Sequence, residues 1–229
     1  MGTDFYPRLT AVIREPAVAV RIINEQIEIG ILLTLPGLLA TLALSDVVVR
    51  VLYSSQFLAA AQVLVWLVVG VFGRVLSWPL GYILLASGAG RWFAATGAVF
   101  FGAQAAMVTW LIPRAGVIGA AYAFAACYLL YTIGMTLLAG RLIGYRWSGA
   151  ALRLLTAASA AMLVAVALKQ ILAPLPAALM GSVLALLVGF WCVRGIVCRV
   201  GANASWALRL KRLGGRGDGA EHPASGHDA

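Results

Sequence analysis

One charged residue, Arg74, falls in the middle of a long apolar run of the sequence. At about 1.5 Å per residue it lies roughly 20 Å from either end of the helix that this run predicts, beyond comfortable reach of the membrane surface. An arginine at the centre of a bilayer costs on the order of 3 kcal/mol on insertion scales, so such residues typically face a cavity or a partner.

Helical spacing places Arg74 on a stripe of polar and small residues along an otherwise apolar helix. Steps of about 100° per residue bring these side chains within an arc of roughly 120°. The stripe consists of Gln62, Trp66, Gly70, Gly73, Arg74, Ser77 and Gly81. It predicts the wall of an aqueous, cationic cavity for an anionic substrate such as a phosphate. The alternative is a structural role, in which Arg74 caps carbonyl groups exposed by a kink at Pro79.

Further polar and helix-distorting residues lie in or beside the apolar runs. Gln104 falls in mid-span and either lines the same cavity or bridges helices by hydrogen bonding. Pro36 and Pro79 are either hinges for alternating access or static kinks. Glu25 and Glu28 flank the inner end of the first span, where solvated ion pairs are favoured over a role in ion coupling.

The sequence carries no metal-binding motif, no nucleophile–base arrangement and no phosphate-binding loop. None of its eight acidic residues falls in the middle of a span, which argues against an intramembrane hydrolase or a carboxylate-driven pump. The three cysteines lie in or beside apolar helices without a CxxC pair, as small core residues do. We therefore expect neither an enzyme nor a bound cofactor or metal.

Composition indicates an all-α integral membrane protein. Of the 229 residues, 62% are hydrophobic and 11% charged, against about 45–50% and about 25% in soluble domains. Because the bilayer core requires about 20 apolar residues per helix, the apolar runs predict six spans. These are Ile27–Leu44, Leu58–Ser87, Trp92–Ile112, Val117–Ala139, Gly149–Leu172 and Ala177–Val197.

The basic residues predict that both chain ends lie in the cytoplasm. With the N-terminus inside, thirteen Lys and Arg residues fall on the inner side and three on the outer side, namely Arg50, Arg114 and Lys169. The net charge of +9 is therefore explained by topology, and no basic-aromatic face for nucleic acid is present.

The polar flanks complete the predicted organisation. Residues 1–26 are expected to form a cytoplasmic amphipathic connector, and residues 200–229 a disordered cytoplasmic tail. Between them, residues 27–148 hold four spans and residues 149–199 hold two more.

Several strings carry a resemblance to a known family. They are Asp4–Leu9 (DFYPRL), Asn24–Gln26 (NEQ), Leu35–Ala40 (LPGLLA), Val51–Ser54 (VLYS) with Phe57, Gly70–Gly81 (GVFGRVLSWPLG), Gly116–Ala121 (GVIGAA) and Gly144–Ser148 (GYRWS). Residues 4–148 thereby resemble the later half of bacterial Wzx-type O-antigen flippases, which are polysaccharide biosynthesis proteins of the superfamily that includes the MATE transporters.

The resemblance implies part of a two-lobed transporter of the bacterial inner membrane. Such proteins flip undecaprenyl-pyrophosphate-linked oligosaccharide, such as an O-antigen repeat unit of lipopolysaccharide, by alternating access. The match of Gly70–Gly81 carries Arg74 over as a candidate for the pyrophosphate group. Small-molecule antiport in the same superfamily and a non-transporting scaffold of a polysaccharide assembly complex remain alternatives.

The family's first lobe and the helices that precede Asp4 have no counterpart in this sequence. We therefore expect the C-terminal portion of a larger flippase, the product of a misplaced start, or half of a split transporter. The partners implied are a lipid-linked oligosaccharide, membrane lipid, a missing N-terminal half or the polysaccharide polymerase machinery.

Overall fold

The structure, a computed structural model, describes residues 2–52 and 58–214. Within these ranges the chain forms seven helices. They are α1 (Gly2–Val12), α2 (Pro16–Leu52), α3 (Leu58–Ala86), α4 (Gly90–Ala115), α5 (Val117–Ile143), α6 (Gly149–Ile171) and α7 (Pro174–Gly214). The resemblance at Tyr53, Ser54 and Phe57 and the last part of the tail lie outside the described residues.

Six of these helices, α2 to α7, are long and apolar enough to cross a membrane, which confirms the number of spans predicted. Helix α3 continues through Arg74 and Pro79 without a break, so the second apolar run is one span. Short turns join α3 to α4 and α4 to α5, and residues 144–148 link α5 to α6.

Helix α2 is longer than the first predicted span because its buried face begins before the apolar run does. Pro16 opens the helix, where its missing N–H is not needed. Fully buried side chains then recur every four residues at Ile23, Ile27, Ile31 and Leu35. Residues 16–26 are thus the first turns of the spanning helix, and α1 with a short turn forms the rest of the predicted connector.

Helix α7 runs past the predicted boundary at residue 199 to Gly214. The segment that follows residue 200 is rich in Ala, Leu, Arg and Lys, which are strong helix formers. Its polarity predicts disorder, whereas its helix propensity favours continuation of the preceding helix.

Helix α2 is the centre of the packing. It contacts α1, α3, α6 and α7, while α3 and α4 pack against α5. The helices therefore form two groups, α3–α4–α5 and α6–α7, on either side of α2.

Small residues allow the helices to approach closely. A Cβ atom added at Gly181 of α7 would lie 2.8 Å from Cβ of Ala43 in α2, closer than side-chain carbons pack. A Cβ atom at Gly189, two turns further along α7, would lie 3.6 Å from Cβ of Pro36, an ordinary van der Waals contact.

These two glycines give a matched test of the α2–α7 contact. Both Gly→Ala changes raise helix propensity by about 1 kcal/mol, but only Gly181→Ala overpacks the interface, at a cost of about 1–3 kcal/mol. We expect Gly181→Ala to have a clearly lower thermal unfolding midpoint in detergent than Gly189→Ala. Equal midpoints would contradict this packing.

Candidate functional site

Arg74 lies on an exposed face of α3 and lines a cavity of about 550 Å³ between α3, α4 and α5. Ser77, Tyr82, Tyr128 and Tyr131 provide its other polar groups. The remaining lining is aromatic, small or aliphatic and comprises Trp78, Gly81, Leu85, Phe93, Ala94, Gly97, Ala98, Phe100 and Phe101. One guanidinium group thus shares the cavity with hydroxyl groups and aromatic rings.

A second cavity of about 410 Å³, between α2 and α3, also has Arg74 and Trp78 in its wall. Its other lining residues are Gln26, Gly30, Thr34, Val71, Val75 and Pro79. Arg74 therefore lies between the two cavities and lines both of them.

The environment of Arg74 bears on the capping alternative. Among the side chains that the structure describes, that of Arg74 takes part in none of the ion pairs and side-chain hydrogen bonds. Its own carbonyl oxygen accepts a hydrogen bond of 3.1 Å from the Ser77 hydroxyl. Because the guanidinium donates to no carbonyl group beside Pro79, its position favours the cavity role.

The predicted stripe divides between two surroundings. Around Trp66 and Gly73 the stripe faces α5. There the Trp66 ring packs edge-on against the Tyr122 ring, with the ring centroids 4.9 Å apart. A Cβ atom at Gly73 would lie 3.2 Å from Cβ of Tyr128, and the Thr132 hydroxyl donates to the Gly73 carbonyl oxygen at 2.9 Å. The small residues thus serve close helix contact, whereas Arg74 and Ser77 line the larger cavity beside it.

The other predicted cavity residues have different positions. Ser77 shares the larger cavity with Arg74. Gln62 is exposed on α3 and Gln104 half-buried on α4, and neither they nor Trp66 line the two cavities beside Arg74. A role for these three in substrate binding stays a prediction.

The two prolines lie inside unbroken helices. Pro36 is within α2 and Pro79 within α3, where it also lines the smaller cavity. Their role as hinges stays a prediction, and Pro79 is the one placed to move the wall beside Arg74.

Near the start of α2, the buried Asn24 joins this helix to residues 144–148, which link α5 to α6. The Asn24 amide donates to the carbonyl oxygens of Val20 (2.9 Å) and Arg146 (3.0 Å). Its oxygen accepts from the Tyr145 hydroxyl (3.2 Å) and the Ser148 backbone N–H (3.0 Å). Burial and the nearby Glu28 carboxylate raise the pKa of Tyr145, so its hydroxyl stays protonated and remains a donor.

Glu28 extends this cluster by one helical turn. Its carboxylate accepts from the Ser148 hydroxyl at 3.2 Å and pairs with Arg199 of α7 at 2.6 Å. The Ser148 oxygen also accepts from the Ala151 N–H at 2.9 Å and so caps the start of α6. One carboxylate therefore connects α2 with the start of α6 and with Arg199 of α7.

The prediction of solvated ion pairs is right for Glu25 and wrong for Glu28. Glu25 forms an exposed pair with Arg21 at 2.9 Å, whereas Glu28 is only 7% exposed. The difference arises because Glu28 lies next to the buried Ile27 and one turn after Asn24, on the packed side of the helix. The signal available in the sequence was this four-residue spacing of two polar groups within a stripe of isoleucines.

A second ion pair lies near the opposite end of α2. Lys169 of α6 binds the Asp46 carboxylate at 2.7 Å and also contacts the Ser45 hydroxyl. The lysine side chain is only 10% exposed, although the sequence places it in an outer loop. Polar contacts therefore fix α2 to its neighbours at both ends.

Within the part of the chain that the structure describes, no group of three or more His, Cys, Asp or Glu residues is placed to hold a metal ion. The site's chemistry thus comes from one guanidinium group, hydroxyl groups and aromatic rings. Such a set binds and orients an anion with an apolar or sugar portion.

Comparison with known proteins shows a local similarity to transporters. Over 88 residues the sequence is 31% identical to the lipid III flippases of Escherichia coli (strain K12) and Shigella flexneri. The match covers 38% of this chain and 21% of each flippase, so it spans about a fifth of their length. No family model and no solved structure matches the chain. The similarity supports the resemblance to flippases without singling out the O-antigen class.

The buried carboxylate gives a test of the cluster. We expect Glu28→Gln to lower the free energy of unfolding by about 1–3 kcal/mol, because it leaves the half-buried Arg199 unpaired. Glu25→Gln breaks an exposed pair and should cost under about 1 kcal/mol. Unfolding curves of both variants in detergent give the comparison. Equal losses of unfolding free energy would show that the Glu28–Arg199 pair stabilises the fold no more than the exposed Arg21–Glu25 pair does.

Proposed function

We propose that this chain forms part of a transporter that moves a lipid-linked oligosaccharide across the bacterial inner membrane by alternating access. The observation that carries the proposal is the Arg74 guanidinium, which lines a cavity halfway along a spanning helix and has no ion-pair partner among the described side chains. The local similarity to lipid III flippases supports a lipid-linked substrate.

The cavity chemistry suits the two polar parts of such a substrate. Arg74 would bind the pyrophosphate group, since a guanidinium donates two parallel hydrogen bonds to phosphate oxygens. Trp78, Tyr128 and Tyr131 offer ring faces and hydroxyl groups to the sugars. The resemblance to Wzx-type proteins suggests an O-antigen or exopolysaccharide repeat unit as the cargo.

Alternating access requires that this wall move relative to an opposite one. Pro79 lies five residues after Arg74 in α3 and gives a point at which the helix can bend. The opposite wall would come from the first lobe of the flippase, to which this chain would contribute the C-terminal part. The role is binding and transport rather than enzymatic catalysis.

The buried Glu28 is the observation that favours the alternative, a small-molecule antiporter. Coupling to an ion would require this carboxylate to exchange its proton or counter-ion. Glu28 already binds Arg199 and Ser148, which join its helix to α6 and α7. Exchange of a proton or counter-ion at Glu28 would break these contacts. A non-transporting scaffold is disfavoured by the cost of keeping an arginine at mid-membrane.

Arg74→Gln tests the proposed site, with Arg74→Lys and the distant Arg91→Gln as controls. We expect binding of undecaprenyl-pyrophosphate-linked sugar to the membrane-reconstituted chain to weaken at least about tenfold in Arg74→Gln, because a charge-assisted contact is lost. Arg74→Lys should retain part of the affinity and Arg91→Gln nearly all of it. Unchanged binding in a well-folded Arg74→Gln variant would overturn the proposal.

The orientation with both ends inside rests on the distribution of basic residues and needs its own test. In a cysteine-free background, Ala173→Cys places a thiol in the outer turn before α7, and Ser87→Cys places one in the inner turn after α3. We expect a membrane-impermeant maleimide to label Ala173→Cys in intact spheroplasts and Ser87→Cys only after permeabilisation. The reverse pattern would invert the topology.

A further inference from the structure

A third cavity lies between α6 and α7, on the other side of α2 from the two cavities beside Arg74. It has a volume of about 800 Å³ and contains three arginines. Its lining consists of Leu32, Ala150, Arg153, Leu154, Ala157, Phe190, Trp191, Arg194, Gly195 and Arg199. It shares no lining residue with either cavity beside Arg74, and we call it the α6–α7 groove.

The α6–α7 groove carries uncompensated positive charge. Glu28 neutralises Arg199 through the 2.6 Å pair. Arg153 and Arg194 take part in none of the ion pairs among the side chains that the structure describes, and the Arg194 guanidinium lies 5.9 Å from the centre of the Phe190 ring. The first turn of α6, at Ala150, adds the positive end of a helix dipole.

Arg153 and Arg194 both lie close to the end of the apolar part of their helix. Arg153 follows the start of α6 by four residues, about 6 Å along the axis. Arg194 precedes Val197, where the apolar run predicted from the sequence ends, by three residues, about 4.5 Å. Long side chains reach the headgroup region from this depth, and the exposed Trp191 beside them is typical of that interface.

The surface deeper in the membrane is apolar and exposed on both helices. It includes Leu163 and Val164 of α6 and Val183, Leu186 and Leu187 of α7. A ligand whose phosphate reaches the arginines can therefore lay acyl chains along this surface. Arginines that only mark the cytoplasmic side have no need to converge on one groove from two helices.

We propose that the α6–α7 groove binds the headgroup phosphate of an anionic phospholipid of the inner leaflet, with Arg153 and Arg194 as its phosphate ligands. A guanidinium fork matches phosphate oxygens, and basic pockets between spanning helices on the cytoplasmic side bind such headgroups. The bound lipid fills the outer side of α6 and α7 and stabilises their contact. This site does not depend on the function proposed for the Arg74 cavity.

The test compares two double variants of equal net charge. Arg153→Gln/Arg194→Gln removes both groove arginines, and Arg91→Gln/Arg141→Gln removes two arginines from the same membrane side outside the groove. Binding of phosphatidylglycerol is measured by native mass spectrometry of the detergent-purified chain, with phosphatidylcholine as the neutral lipid. We expect phosphatidylglycerol affinity to fall at least fivefold in the groove variant and to stay within twofold of the parent in the other.

Three results would overturn the proposal. The first is an equal loss in both double variants, which would indicate a diffuse charge effect. The second is phosphatidylcholine binding as tight as phosphatidylglycerol binding. The third is displacement of phosphatidylglycerol by inorganic phosphate or undecaprenyl pyrophosphate, which would show that the site binds one of these compounds more tightly than the phospholipid. A groove variant that fails to elute as a single species is replaced by Arg153→Lys/Arg194→Lys, which should retain binding if the charges act at this site.

Discussion

The fold depends on polar groups that are buried on α2 and must be satisfied within the protein. In a membrane, an unpaired amide or carboxylate costs several kcal/mol because no water can replace a missing partner. Asn24 meets this requirement with four hydrogen bonds, two of which reach the backbone of the loop between α5 and α6. Glu28 meets it with Ser148 and Arg199. One face of α2 therefore places the link between α5 and α6, the start of α6 and the part of α7 around Arg199.

Because α2 lies between the two groups of helices, the cavities on its two sides are lined by different residues. On one side, Gly70 and Gly73 let α3 approach α5 closely, and Arg74 lines a cavity rich in tyrosine and phenylalanine. On the other side, Leu32 of α2 forms part of the wall of the α6–α7 groove. The helix that separates them is held at both ends, by Glu28 with Arg199 and by Asp46 with Lys169.

The sequence predicts the spans well because the physical signal for them is strong and local. Long apolar runs, and a single arginine that splits one of them, are readable without any knowledge of packing. The partner of Glu28 could not be read in the same way, because Arg199 is 171 residues away in the chain. The division of the stripe on α3 likewise depends on where α5 lies. Helical spacing shows which residues share a face, but it cannot show which neighbouring helix covers half of that face.

The distribution of carboxylates gives Arg74 its significance. Among the described residues, the three ion pairs use Glu25, Glu28 and Asp46, all on α2, and each is matched with a cation other than Arg74. A structural arginine at mid-membrane would lower its cost by taking one of these partners. Each of those carboxylates is engaged near an end of α2, so within the described part of the chain the charge of Arg74 is left available to an anionic group in the cavity. This available charge supports the proposed phosphate site at Arg74 independently of any resemblance to known flippases.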